Sequence, residues 1–201
     1  RLLDFFRKLS GNENLSVNED IYISEKNTGD MNKAIGYYLK ANGKLEGKAE
    51  EVLDVYFKQC SIEVTCKDLA SIALVLASGG VESKTNKRLI PNDVVSAVLA
   101  IMATCGLYNG SGRFLVDVGI PAKSGVSGGI MAVVPGEMGI GIYNPTLDDK
   151  GNSIVGIKIL EELSKSLELN LFKVPGTARF MSKTAGHGTN KNMFSAYLWR
   201  D

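Results

Sequence analysis

The stretch KSGVSGG, residues 123–129, joins two apolar runs and holds three glycines, more than a hairpin connection needs. Glycines let a main chain approach a ligand closely. A peptide N–H held at the start of the following strand can donate to a developing oxyanion. Lys123 can hold a carboxylate or assist proton transfer. The plainer alternative is a glycine-rich loop with a solvated lysine, because short motifs match by chance.

A second stretch, ISEKNTGDMNKAIGYYLK, places Glu25 just before a helix and Asn32 early in it. A carboxylate with an amide can recognise an ammonium and a carboxylate, the two ends of an amino acid. The alternative is a surface charge and a first-turn residue, since most such charges are solvated. In LDVYFKQCSIEVTC, Tyr56 can offer a hydroxyl to a substrate or serve as core at helical spacing. In CGLYNGSG, Tyr108 sits among glycines between a helix end and a strand. It can shuttle a proton in a cleft, or pack on the sheet as a turn tyrosine.

These residues need a scaffold, and the chain has the means to build one. Its 201 residues suffice for one sizeable core, with 44% apolar and 22% charged residues as in soluble globular proteins. The net charge of +1 gives no reason to expect a nucleic-acid or membrane partner. Apolar runs are short and interrupted. Three cysteines, Cys60, Cys66 and Cys105, fit free thiols in a reducing compartment. With His187 as the single histidine and no zinc-ligand spacing, no metal site is expected.

Periodicity predicts helices first. An amphipathic one opens the chain with Leu2, Leu3, Phe5 and Phe6. Another, capped by Asp30, carries Ile35, Tyr38 and Leu39 and stops near Asn42. Residues 49–58 stripe Val52, Leu53 and Tyr56, and Thr65 with Asp68 forms a capping box before Leu69, Ile72 and Leu76. Pro91 starts a helix that ends at Gly106. The period then changes. Phe114, Val116 and Val118 alternate as in a half-buried strand, and further strands follow at 130–134 and around Ile140 and Ile142. Asn152 or Ser153 opens a last helix that can cover this three-stranded antiparallel meander. The predicted class is α+β. Residues 173–201 show no sustained period and are expected to form an irregular tail, whose cluster Phe194, Tyr197, Leu198 and Trp199 can dock on the body.

Taken together, SEKNTGDMNKAIGYYLK, VLDVYFKQCSIEVTCKDLA, ATCGLYNGSGRF and VGIPAKSGVSGGIMAVVPGEMGIGIYNPTLDDKGNS resemble the serine-dependent glutaminases over residues 1–172. Lys-Ser-Gly on an inner strand is also a signature of serine acyl-transfer enzymes related to penicillin-binding proteins. The resemblance implies a β-lactamase/transpeptidase-like fold and hydrolysis of L-glutamine to glutamate and ammonia, without metal or organic cofactor. It implies that a serine in Ser-x-x-Lys is the nucleophile. Tyr108 matches the proton-handling tyrosine, and Val126 the residue whose N–H joins the oxyanion hole. Glu25, Asn32 and Tyr56 match substrate-binding positions, and Lys123 the motif's lysine, in a supporting role. It further implies a homodimer or homotetramer and, from the bacterial look of the motifs, a cytoplasmic location.

The departure from the family is that no serine in the 201 residues has a lysine three positions on, and the family's Asn-Pro-x-x-Asn-Ala-Gly stretch does not occur either. The expectation is therefore a partial catalytic domain at 1–172, lacking the early part of the fold and its nucleophile, and inactive alone. Two other readings stay open: a β-lactamase-like acyl-transfer enzyme, and a non-catalytic remnant that binds an amino acid.

Overall fold

The computed structural model describes residues 1–173. Its helices are α1 (Leu2–Ser10), α2 (Glu19–Thr28), α3 (Asp30–Ala41), α4 (Ala49–Cys60), α5 (Cys66–Ala77), α6 (Asn92–Cys105), α7 (Ser111–Asp117) and α8 (Ile154–Ser166). A small hairpin pairs β1 (Val81–Glu82) with β2 (Lys87–Arg88), and the main sheet runs β3 (Ala122–Ser124), β4 (Gly129–Val134) and β5 (Met138–Tyr143), all antiparallel. This is the α+β arrangement that the sequence predicts.

Strand β4 explains the layering. Alternate residues of a strand face opposite sides, and both sides of β4 are covered. Ile130, Ala132 and Val134 join Leu107, Phe114, Val118, Ile120, Leu160 and Leu169, from the loops and helices α7 and α8. Val133 joins Ala73, Leu76, Ala77, Val95 and Met102 of α5 and α6. The run IMAVV is thus apolar throughout because each face is buried, rather than alternating as a half-exposed strand would. Helix α1 closes the α5 side, with Leu9 against Ile72 and Val75.

Helix α5 lies directly on β5, and two glycines make that possible. A Cβ at Gly139 would stand 2.2 Å from the Leu74 nitrogen, and one at Gly141 2.1 Å from the Cys66 carbonyl oxygen. The start of α5 is fixed as the sequence predicts: Thr65 Oγ1 accepts from the Asp68 N–H at 3.2 Å, and Asp68 accepts in return from the Thr65 N–H at 2.8 Å.

Several expectations are corrected. Residues 111–117 form helix α7, not a strand: Phe114 and Val118 are buried four residues apart, Val116 between them is 74% exposed, and Arg113 pairs with Asp117 one turn on. Three apolar residues at 114, 116 and 118 satisfy period two, but the outer pair satisfies a helix equally well. The meander keeps three strands, with Ala122–Ser124 as the first, so Lys123 and Ser124 belong to the strand and the loop proper is 125–128. Glu25 lies inside α2 rather than before a helix, Asp30 is the first residue of α3 rather than its cap, which is Gly29, and Pro91 is the N-cap of α6 rather than its first residue. Among the described residues, no single helix is long and apolar enough to cross a membrane. The contact pattern puts residues 1–170 in one unit. The proposed docking cluster Phe194, Tyr197, Leu198 and Trp199, like His187, lies outside the described residues.

Candidate functional site

Tyr108 begins a 3₁₀ turn, Tyr108–Gly110, between α6 and α7, and its φ of 51° is left-handed. A tyrosine in that region is strained unless its surroundings impose it, and here they do. Ser111 Oγ accepts from the Leu107 N–H at 2.9 Å and donates to the Tyr108 carbonyl at 2.8 Å. The ring is thereby turned outward and is 44% exposed.

Facing it is the loop after β3. The Gly125 N–H donates to the Gly129 carbonyl and the Gly128 N–H to the Gly125 carbonyl, each at 2.9 Å. Gly128, at φ 99°, leaves its missing Cβ 2.2 Å from the Asn144 carbonyl oxygen. This tight loop uses its own backbone donors on either side of Val126, while the Val126 N–H makes no hydrogen bond among the described residues. Val126 is 63% exposed. Val126 and Tyr108 flank Gly151 together: a Cβ placed there would lie 3.6 Å from Val126 Cγ1 and 3.7 Å from Tyr108 Cε2. Lys123 Nζ stands over the Tyr108 ring, 4.9 Å from its centroid, and donates to the Ser124 carbonyl.

Helix α4 supplies the other wall. Tyr56 stacks edge-on against Phe57, with centroids 5.9 Å apart. Its phenol is pushed up to about 12, first by burial, then by the Cys60 thiol one turn on, then by the charges of Tyr108 and Glu25. Burial raises Tyr108 as well, with Cys60 and Glu25 adding to it. Burial lowers the Lys123 ammonium, opposed by Cys60. These mutual influences tie Tyr56, Tyr108, Glu25 and Lys123 into one electrostatic neighbourhood, with Cys60 among them.

Glu25 reaches this neighbourhood because α2 is tied to α4. Asp54 accepts from the Tyr22 hydroxyl, from Lys26 Nζ at 3.0 Å and from Lys58 Nζ at 2.8 Å. The same three donors hold its carboxyl far below the usual range, Lys58 first. Between Glu25 and Asn32, Gly29 closes on α4: a Cβ there would meet the Phe57 ring at 2.7 Å. Helix α3 is seated by Gly36 against Leu53 and by the Tyr37 hydroxyl donating to Glu50. Asn32, in the first turn of α3, is half-buried but stands outside the interactions that join the other four.

Comparison with known proteins gives the family. A family described as Glutaminase matches residues 1–172. The chain belongs to the glutaminase family. It is 58% identical over 172 residues to a glutaminase of Clostridium tetani and 59% identical to one of Alkaliphilus oremlandii, in each case over 86% of this chain and 56% of the relative. The chain thus spans about half the length of these curated relatives. Among solved structures, the covalent complex of the Bacillus subtilis glutaminase YbgJ with 5-oxo-L-norleucine matches with a TM-score of 0.81 at 43% identity, over 85% of this chain and 61% of that one.

Two residues in this family member's site escape sequence reasoning. Cys60 is recoverable from its i, i+4 spacing to Tyr56, which places both on one helix face. Asn152, fully buried behind Tyr108 and the 125–128 loop, reads in the sequence only as a helix opener; Ser153 takes that role, accepting from the Gly156 N–H at 3.2 Å.

Proposed function

We propose that residues 1–172 form the substrate-reading and charge-stabilising side of a site that hydrolyses the side-chain amide of L-glutamine to L-glutamate and ammonia. A serine of a Ser-x-x-Lys segment, which these 201 residues do not contain, attacks the amide carbon. The Val126 N–H, unengaged among the described residues, donates to the oxyanion that forms. Tyr108, a phenol that burial pushes up from its ordinary value, is suited to donate to the departing nitrogen and then take a proton from the water that opens the acyl-enzyme. Glu25 receives the α-ammonium, and Asn32 and Tyr56 the other polar groups of the amino-acid end. Lys123 holds the Tyr108 ring. Assembly into homodimers or homotetramers and action in the cytoplasm belong to the same proposal and rest on the family resemblance.

The observation that supports the reading is that the Val126 and Tyr108 side chains meet beside Gly151, in a loop whose Val126 N–H makes no hydrogen bond among the described residues. Ammonia release from L-glutamine is the test, on the 201-residue chain and on the same residues joined to the portion of the Clostridium tetani relative that they do not match. Turnover only in the longer polypeptide supports the proposal. Turnover by the short chain means that a different nucleophile serves. A folded, inactive longer polypeptide that binds glutamine favours the amino-acid-binding reading.

A further inference from the structure

Asn152 has no exposed surface, and both ends of its carboxamide are hydrogen-bonded. Its Oδ1 accepts from Ser124 Oγ at 2.6 Å, and its Nδ2 donates to the Leu107 carbonyl at 3.2 Å. The orientation is forced, because a carbonyl can only accept and so must face the amide's NH₂. Leu107 immediately precedes Tyr108, and Ser124 stands two residues before Val126. Ser124 also reaches back: its N–H donates to the Gly106 carbonyl at 3.1 Å. Asn152 itself is held by Asp148, whose Oδ1 accepts its N–H and whose N–H donates to its carbonyl, both at 2.8 Å. One side chain therefore spans the two segments that carry the Tyr108 phenol and the Val126 N–H.

We infer that Asn152 is a positioning residue of the hydrolytic site, setting where the Tyr108 hydroxyl stands relative to the Val126 oxyanion donor. This rests on the function proposed above. Neither partner fixes that spacing alone. The left-handed Tyr108 turn is shaped by Ser111 within its own segment, and the 125–128 loop by bonds within the loop. Helix α5 makes none of these bonds. An error of about 1 Å in such a spacing costs on the order of 100-fold in rate, whereas the Glu25 and Tyr56 wall stands on α2 and α4 and is unaffected.

The first arm of the test is amide hydrogen exchange on the 201-residue chain. Asn152→Ala, and the milder Ser124→Ala, are expected to lose roughly tenfold or more of protection at the Leu107 and Ser124 amides, with α5 unchanged. Unchanged protection at Leu107 and Ser124, or equal loss throughout, overturns the placement. The second arm uses the longer polypeptide and 6-diazo-5-oxo-L-norleucine, the reagent that gives the Bacillus subtilis glutaminase complex, to count competent sites. The expected result is a full count of labelled sites, a glutamine KM within about threefold, and a kcat per labelled site about 100-fold lower. A reduced count with unchanged kcat per labelled site means a folding role only and overturns the inference. Should the unsubstituted longer polypeptide neither label nor turn over, the glutaminase reading fails, while the exchange arm still decides whether Asn152 sets the spacing.

Discussion

Lys123 Nζ lies over the face of the Tyr108 ring, 4.9 Å from its centroid. A cation on the face of an aromatic ring is attracted by the ring's quadrupole, so it grips the ring and leaves the hydroxyl at the edge available. Ring and hydroxyl can therefore be separated by substitution. Tyr108→Phe keeps the face that Lys123 holds. In the longer polypeptide it is expected to lower kcat by about 10²- to 10⁴-fold, with stability changed by less than about 0.5 kcal/mol. Steady-state kinetics with a urea melt checks this, and a kcat within a few-fold of the parent would remove Tyr108 from proton transfer.

Asp54 ties α2 to α4 through Tyr22, Lys26 and Lys58. Its folded pKa lies below its ordinary 3.8, so its contribution is present above that value and lost as pH falls through the region beneath it. Asp54→Asn is expected to lower Tm at neutral pH and to flatten the acid limb below about pH 4. Because α2 carries Glu25, KM for glutamine rises in the longer polypeptide more than kcat falls. Parallel acid limbs for the two proteins would contradict the assignment.

Tyr56 gives the opposite sign. With a folded pKa of about 12 against an ordinary 10.0, the unfolded chain loses this proton first as pH rises. Stability from this group is therefore intact below about pH 10 and declines between about 10 and 12. Replacing Tyr56 by Phe makes that alkaline limb shallower, as read from urea midpoints at stepped pH. An unchanged limb would mean that the phenol is not shielded.

Gly128 combines a φ of 99° with a missing Cβ 2.2 Å from a backbone oxygen. Gly128→Ala therefore adds both strain and a clash that no side-chain motion relieves. The expected loss is about 3 kcal/mol in a urea melt of the 201-residue chain. A loss below about 0.5 kcal/mol would show that the loop relaxes freely.

Local signals carried much of this architecture. The Thr65 and Asp68 capping box, the helix stop at Gly106 and the strand at 130–134 each follow from neighbours in sequence. Helix α7 was misread because Phe114 and Val118 fit both periods, and what decides between them is Leu160 and Ile130 packing from elsewhere in the chain. Helix α2, which has no buried residue, carries no apolar stripe to find. Within the candidate site, the residues that meet the substrate in the proposed function stood out through glycines and resemblance. Asn152 did not, because its partners are 28 and 45 positions away and a buried amide looks like any loop asparagine until its contacts are known.

The two glycines of β5 have a consequence for how this sequence can vary. At positions 139 and 141 the space for a side chain is occupied by the main chain of α5. Shortening a helix side chain would not make room, since backbone atoms form the obstruction. A library randomised at both sites and sorted for folding should return glycine at each, even if every side chain of α5 that faces the sheet were varied alongside. The identity of those two strand residues is thus dictated by the path of a helix that precedes them by more than sixty residues.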